Sequence, residues 1–137
     1  MELRNIENKK YSFLHYVYYK LYSILKKTEE SSGSLAISEL LAMLVLTILQ
    51  FFNIWLLVSL LIAFAKIKPP IASIFVLFFG LIVANYLIFV RKNKYLNVAV
   101  FFDSSKNRSL LMNISFYLYI SLTLLTPYFM YLISKLQ

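Results

Sequence analysis

LLAMLVLTILQFFNIWLLVSLLIAFA, residues 40–65, decides the fold. It is a run of 26 residues with no charged side chain. Two more uncharged runs follow it, PPIASIFVLFFGLIVANYLIFV at 69–90 and SLLMNISFYLYISLTLLTPYFMYLIS at 109–134. Each contains at least the roughly 20 apolar residues that a helix needs to span a bilayer. We therefore predict an all-α integral membrane protein whose three transmembrane helices cover about 36–65, 70–90 and 109–134.

The overall composition supports a membrane location and excludes several chemistries. Hydrophobic residues make up 61% of the 137 residues and the mean hydropathy is +0.72, whereas a soluble domain is about 45–50% apolar. Three long apolar runs also leave no polar body large enough to bury them. The absence of cysteine excludes disulfides, thiol nucleophiles and thiolate metal sites.

The sequence divides into an N-terminal segment, residues 1–33, and a membrane domain, residues 34–134. The first of these contains KKYSFLHYVYYKLYSILKK at 9–27, whose longest uncharged run, nine residues, is too short to span a bilayer. At 100° per residue, most of its apolar side chains fall in one half of a helical wheel. We therefore predict an amphipathic helix that lies in the membrane interface.

The tyrosines of this predicted helix fall on both of its faces. Tyr18 and Tyr22 share the apolar half and are expected to face lipid or the bundle. Tyr16 and Tyr19 fall on the water side, which anchoring does not explain, and we expect a partner to bind there. Whether the helix only anchors the chain on its spans or also docks another protein is left open by the sequence.

Basic residues are distributed unequally around the three runs. Eleven of the 14 lie in the N-terminal region or in the loop predicted at 91–108. The positive-inside rule then predicts a multipass protein of the bacterial inner membrane with a cytoplasmic N-terminus and an outward C-terminus. The net charge of +8 favours anionic lipid headgroups as partners. Besides the two water-side tyrosines, the expected lipid or partner surface consists of Lys20, Lys26, Lys27, Arg91, Lys92 and Lys94.

Several polar or small residues interrupt the apolar runs. In the first run these residues share an arc of the predicted helix. Two interpretations are open: a path for ions or protons, or hydrogen bonds to neighbouring helices. In the second run a small-xxx-small pattern is typical of close helix approach. The residues expected at helix–helix or partner contacts are Thr47, Gln50, Asn53, Gly80, Ala84, Asn85, Asn113, Tyr117 and Ser121.

The sequence contains no recognisable catalytic arrangement. There is one histidine, His15, which excludes a His–His metal pair and is expected to be exposed on the polar face of its helix. The two glycines are isolated, so no glycine-rich phosphate loop is present, and the six acidic residues do not converge in any known pattern. Residues 1–35 carry six basic and four acidic residues, too small an excess for a nucleic-acid surface. We expect no enzyme activity, no cofactor, no metal and no nucleic-acid partner.

An aromatic and basic helix, a first span with FFNI, a second ending in NYLIFVRKNKY and a terminal third span together resemble small uncharacterised multipass proteins of Bacteroidota. The resemblance implies a helical membrane protein and brings no activity with it. We expect a non-enzymatic accessory or scaffold subunit of a larger membrane complex, or a homo-oligomer. The alternatives are a self-assembling pore or holin-like effector lined by Thr47, Gln50 and Asn53, and a membrane immunity protein against a toxin.

Overall fold

The computed structural model of the protein describes residues 11–33, 37–66, 69–104 and 109–135. Over these residues the chain is helical and contains no strand. Five α-helices are linked in one place by a π-helical turn and a 3-10 turn. In chain order the elements are α1 (Phe13–Ser32), α2 (Ser38–Ala65), α3 (Ile71–Asn85), the π-turn (Tyr86–Val90), the 3-10 turn (Arg91–Asn93), α4 (Lys94–Ser104) and α5 (Ser109–Lys135).

Three helical segments are long and apolar enough to cross a membrane: Ser38–Ala65, Ile71–Ser104 and Leu110–Lys135. The prediction of an all-helical chain with three such helices is confirmed. The second segment extends beyond the predicted span because it includes α4, which is separated from α3 and the π-turn by a kink at Lys92 and Asn93. Large apolar side chains such as Phe64 and Leu111 are exposed on these helices, as expected where a helix faces lipid.

Both ends of α2 are set by features outside its apolar run. The carboxylate of Glu29, in the last turn of α1, accepts a hydrogen bond from the backbone N–H of Ser38 at 3.3 Å. An acid is favourable there because the helix N-terminus carries unpaired N–H groups and a partial positive charge. At the other end Lys66 adopts a left-handed conformation with φ of 55°, and Pro70 caps the start of α3.

The connection predicted between the second and third spans, residues 91–108, contains the helix α4 over residues 94–104. Val98 and Phe102 of α4 are four residues apart and therefore share one helix face, and both are buried. Their burial stabilises a helix inside the basic connection between the two spans. Lys92 and Asn93 turn the chain into α4 with φ values of 59° and 54°.

Helix α1 begins at Phe13 and ends at Ser32, and the next residue, Gly33, has a φ of 63°, the left-handed conformation common just after helices. Residues 9 and 10 of the predicted helix lie outside the described residues. The helix packs against α2, α4 and α5, with Val17 and Tyr18 completely buried. One face of the helix therefore contributes to the core of the molecule, while residues on the other side, such as Lys26 and Lys27, are exposed.

The buried face of α1 differs from the one predicted by the helical wheel. Tyr18 and Tyr22 are buried, as expected. Tyr16 is only 4% exposed, so its predicted position on the water side is wrong. A tyrosine can be buried when its ring packs and its hydroxyl finds a partner, and Tyr16 packs on Phe102 with ring centroids 5.2 Å apart. Not every residue of the apolar half packs inside the protein, since Ile24 is 50% exposed.

Candidate functional site

Amide and hydroxyl side chains join α2 to α3 inside the bundle. The Asn85 side-chain amide donates to Thr47 Oγ1 at 2.9 Å and to Gln50 Oε1 at 2.7 Å. Thr47 in turn donates to the backbone carbonyl of Met43 at 2.8 Å. Asn85 and Thr47 are both buried, and a buried amide without partners would destabilise the fold. This group fixes the separation and register of the two helices.

A second group of polar side chains joins α2 to α5. The Asn53 amide donates to Tyr119 Oη at 3.0 Å and to Thr123 Oγ1 at 3.1 Å. The Thr123 hydroxyl lies 2.8 Å from the carbonyl of Tyr119, one helical turn earlier. Tyr119 and Thr123 were not expected at this site. The available signal was their spacing of four residues, which places them on one helix face.

Asn113, near the start of α5, connects that helix to α1. Its Oδ1 accepts a hydrogen bond of 2.7 Å from the Tyr16 hydroxyl, which explains how a tyrosine is accommodated in the core. The structure thus brings Thr47, Gln50, Asn53, Asn85 and Asn113 into contacts between helices.

The other four residues expected at helix contacts are exposed. Tyr117 is 63% exposed on α5, and Ser121 lies on the same outward part of that helix. Gly80 and Ala84 are exposed on α3. A Cβ built at Gly80 would meet no atom within 4 Å, so the small-residue pattern does not serve close approach within the chain. For these four residues a contact with a partner stays a prediction.

A groove of about 370 Å³ lies between α1 and α4. At one end Tyr19 donates a hydrogen bond of 2.5 Å to Asp103 Oδ1 and stacks on Phe102 with ring centroids 5.4 Å apart. Burial, followed by the bond to Asp103 and its negative charge, raises the pKa of Tyr19 to about 12. The phenol therefore stays a hydrogen-bond donor at neutral pH. The groove is lined by Tyr19, Tyr22, Ser23, Lys26, Lys27, Glu30, Leu96, Ala99, Val100 and Asp103.

The expected basic surface follows α1 and the entry to α4. Lys20 is half-buried, with its Nζ 5.8 Å from the Tyr16 ring centroid. Lys94 Nζ donates to the carbonyl of Leu87 at 3.0 Å, which satisfies a backbone group of the π-turn. The exposed residues of the surface are Lys26, Lys27, Arg91, Lys92 and Lys94.

His15 is partly buried and helps to begin α1, so its expected place as an exposed residue is only partly correct. Its ring lies edge-on to Phe89, with centroids 5.2 Å apart. The backbone N–H of Ser12 donates to Nδ1 at 3.3 Å, and the Ser12 hydroxyl lies 2.8 Å from the same atom. Burial lowers the pKa of His15. A neutral imidazole with an unprotonated Nδ1 is the form that accepts these bonds.

Comparison of the chain with protein-family models, with curated proteins and with solved structures found no match. Among the described residues, no group of three or more His, Cys, Asp or Glu side chains is arranged to hold a metal ion. The side chains that do converge in the spans are amides, hydroxyls and a phenol. Their chemistry is hydrogen bonding between helices.

Proposed function

We propose that the protein is a non-enzymatic accessory or scaffold subunit of a larger complex in the bacterial inner membrane. The observation that carries the proposal is the uneven burial along the three membrane-length helices. In α2 the buried residues lie between Ser38 and Leu49, and Asn85 is the one buried residue of α3. In α5, by contrast, Thr123 and Thr126 are buried. The parts of α2 and α3 away from α1 are therefore thinly packed.

Exposed side chains in that half suit contact with other helices as well as with lipid. Leu57 and Leu61 of α2 are more than half exposed, as are Phe75 and Val76 of α3. Gly80 offers a place where a foreign helix can approach closely. Because no described residue packs closely on Gly80, we favour a partner helix or a second copy of the chain as the occupant of this position.

The proposed orientation places α1 and α4 on the cytoplasmic side, where Lys26, Lys27 and Arg91 would meet anionic headgroups. Helix α1 would then lie in the interface with its outer face toward headgroups. Its inner face packs on the spans, so it would anchor the bundle at the cytoplasmic surface.

The pore alternative is less well supported. Thr47, Gln50 and Asn53 would line such a pore, but they are hydrogen-bonded to Asn85, Tyr119 and Thr123 of the same chain. Opening a channel along them would break all of these bonds. A membrane immunity protein would also act by binding a partner, and the experiment below applies to it equally.

The proposal is tested by the size and composition of the complex that the full chain forms in a mild detergent. We expect a stoichiometric partner or a defined oligomer, and we expect Gly80→Leu to dissociate it. Ile71→Phe is the matched control because it also enlarges an exposed side chain but lies nine residues before Gly80, on the opposite side of α3. A monomer of single size with no bound protein, for the unaltered chain, would refute the proposal.

A further inference from the structure

The groove between α1 and α4 has the size and the mixed lining of a small-molecule site. Its volume of about 370 Å³ lies at the lower end of the range for ligand pockets, roughly 300–1,000 Å³. Its α1 wall is polar and aromatic. Its α4 wall is apolar, with Leu96 and Val100 nearly half exposed. An occupant that satisfies both walls is amphiphilic.

Charges are separated along the length of this groove. Tyr19 holds the carboxylate of Asp103 at one end. Lys27 lies eight residues further along α1, a rise of roughly 12 Å, and marks the other end. Lys26 shortens the gap, since its Nζ lies 5.9 Å from the centroid of the Tyr22 ring, back toward Tyr19. A negative and a positive end therefore face the same cavity.

The acidic end keeps hydrogen-bonding capacity despite its contact with Tyr19. A carboxylate offers about four lone-pair sites on two oxygens, and the Tyr19 hydroxyl occupies one of them. At the basic end, Glu30 offsets part of the charge of Lys26 and Lys27, so a ligand that carries only negative charge is weakly favoured overall. A ligand that carries both signs can pair with both ends.

We propose that this groove binds the headgroup of a zwitterionic phospholipid with a primary ammonium, for which phosphatidylethanolamine is the probe. The phosphate pairs with Lys26 and Lys27, the ammonium donates to Asp103, and the start of an acyl chain lies on Leu96 and Val100. This site does not depend on the accessory function proposed above. Its selectivity comes from N–H donors, because a choline headgroup has the same net charge and none of them.

Lipid binding to the full chain in a mild detergent tests this proposal. Phosphatidylethanolamine, phosphatidylcholine and phosphatidylglycerol with the same acyl chains are titrated separately, and bound lipid is counted by native mass spectrometry. We expect phosphatidylethanolamine to bind roughly tenfold more tightly than phosphatidylcholine, the effect of about one charge-assisted hydrogen bond. Equal affinity for these two lipids, or tighter binding of phosphatidylglycerol, would overturn the proposal.

Three variants assign the two ends of the headgroup. Asp103→Asn keeps an acceptor for Tyr19 but loses the charge, and we expect it to abolish the preference for ethanolamine over choline. Lys26→Gln is expected to weaken the binding of all three phospholipids to a similar extent. Lys20→Gln is the control, since Lys20 is on the same helix but does not line the groove. It should leave the preference for ethanolamine over choline unchanged and weaken lipid binding less than Lys26→Gln does.

Two results in this series would count against the site. If Lys20→Gln weakened lipid binding as much as Lys26→Gln does, the lysines would act through the general surface charge and not through the groove. Soluble phosphoethanolamine binding as tightly as the lipid would remove the role of the apolar wall. Loss of the partner complex with lipid selectivity intact would leave this proposal standing and refute only the proposed function.

Discussion

The ring of Tyr18 stacks on the ring of Phe89, with centroids 4.4 Å apart and planes 10° from parallel. Tyr18 belongs to α1 and Phe89 to the π-turn that follows α3, and both are completely buried. The Tyr18 hydroxyl also donates to the carbonyl of Glu39 at 3.1 Å. One side chain thus ties the N-terminal helix to α2 and to the end of α3.

Truncation of Phe89 is expected to loosen α1 from the bundle. Phe89→Ala removes a buried ring and should cost about 3–5 kcal/mol of unfolding free energy, the usual range for such a change. Ile88→Ala, in the same turn but 40% exposed, is the control and should cost much less. Unfolding in a denaturing-detergent titration measures the stability of both variants. Equal losses of unfolding free energy would mean that the stacking contact does not hold α1 to the bundle.

Removal of the amide at Asn85 is expected to weaken the contact between α2 and α3. Asn85→Leu keeps the approximate volume but leaves Gln50 without its donor, and the cost should be about 1–2 kcal/mol. Asn97→Leu replaces an exposed asparagine on α4 and should change stability by at most about 0.5 kcal/mol. Combining Asn85→Leu with Gln50→Leu in a double-mutant cycle should give a smaller loss than the sum of the singles; strict additivity would contradict the hydrogen bond.

Acidification is expected to destabilise α1 through His15. Because burial lowers the pKa of His15 in the folded protein, the unfolded chain binds more protons below the unfolded value of about 6.5. Stability therefore falls as pH drops through about 6.5 and continues to fall until the folded pKa is passed. Protonation also removes the Nδ1 acceptor that Ser12 uses.

His15→Gln is the matched variant for this pH dependence. Glutamine at the third helical position can accept from the Ser12 N–H as in a capping box, but it does not titrate. We expect the variant to keep its stability at neutral pH and to lose the acid-side slope that begins below about pH 6.5. Helix content followed by circular dichroism across this range measures the effect, and an unchanged slope would refute it.

The three spans could be predicted from the sequence because their signal is local. An uncharged, apolar run of sufficient length, such as residues 40–65, favours a membrane span regardless of which other helices pack against it. The pairing of Asn85 with Gln50 and Thr47 could be expected only as a type of contact. Which helix accepts the hydrogen bonds of each side-chain amide depends on how the helices are arranged. A single sequence does not specify that arrangement.

The position of α1 could not be predicted for a related reason. A helical wheel predicts burial from the polarity of the side chains on each face. Tyr16 is nevertheless buried, because Asn113, 97 residues later, accepts a hydrogen bond from its hydroxyl. Helix α4 was missed in the same way. Its basic flanks suggested a loop, while Val98 and Phe102 are buried in the core that α1 helps to form.

Membrane orientation can be measured directly because the chain has no cysteine. Single cysteines are introduced at Lys92, in the exposed turn before α4, and at Lys135, the last residue of α5. If α1 and α4 lie in the cytoplasm, as the positive-inside rule predicts, a membrane-impermeant maleimide should label Lys135→Cys in intact cells. Lys92→Cys should react only after the membrane is permeabilised. Labelling of both in intact cells would contradict an odd number of spans between them, and the reverse pattern would place α1 and its basic surface outside.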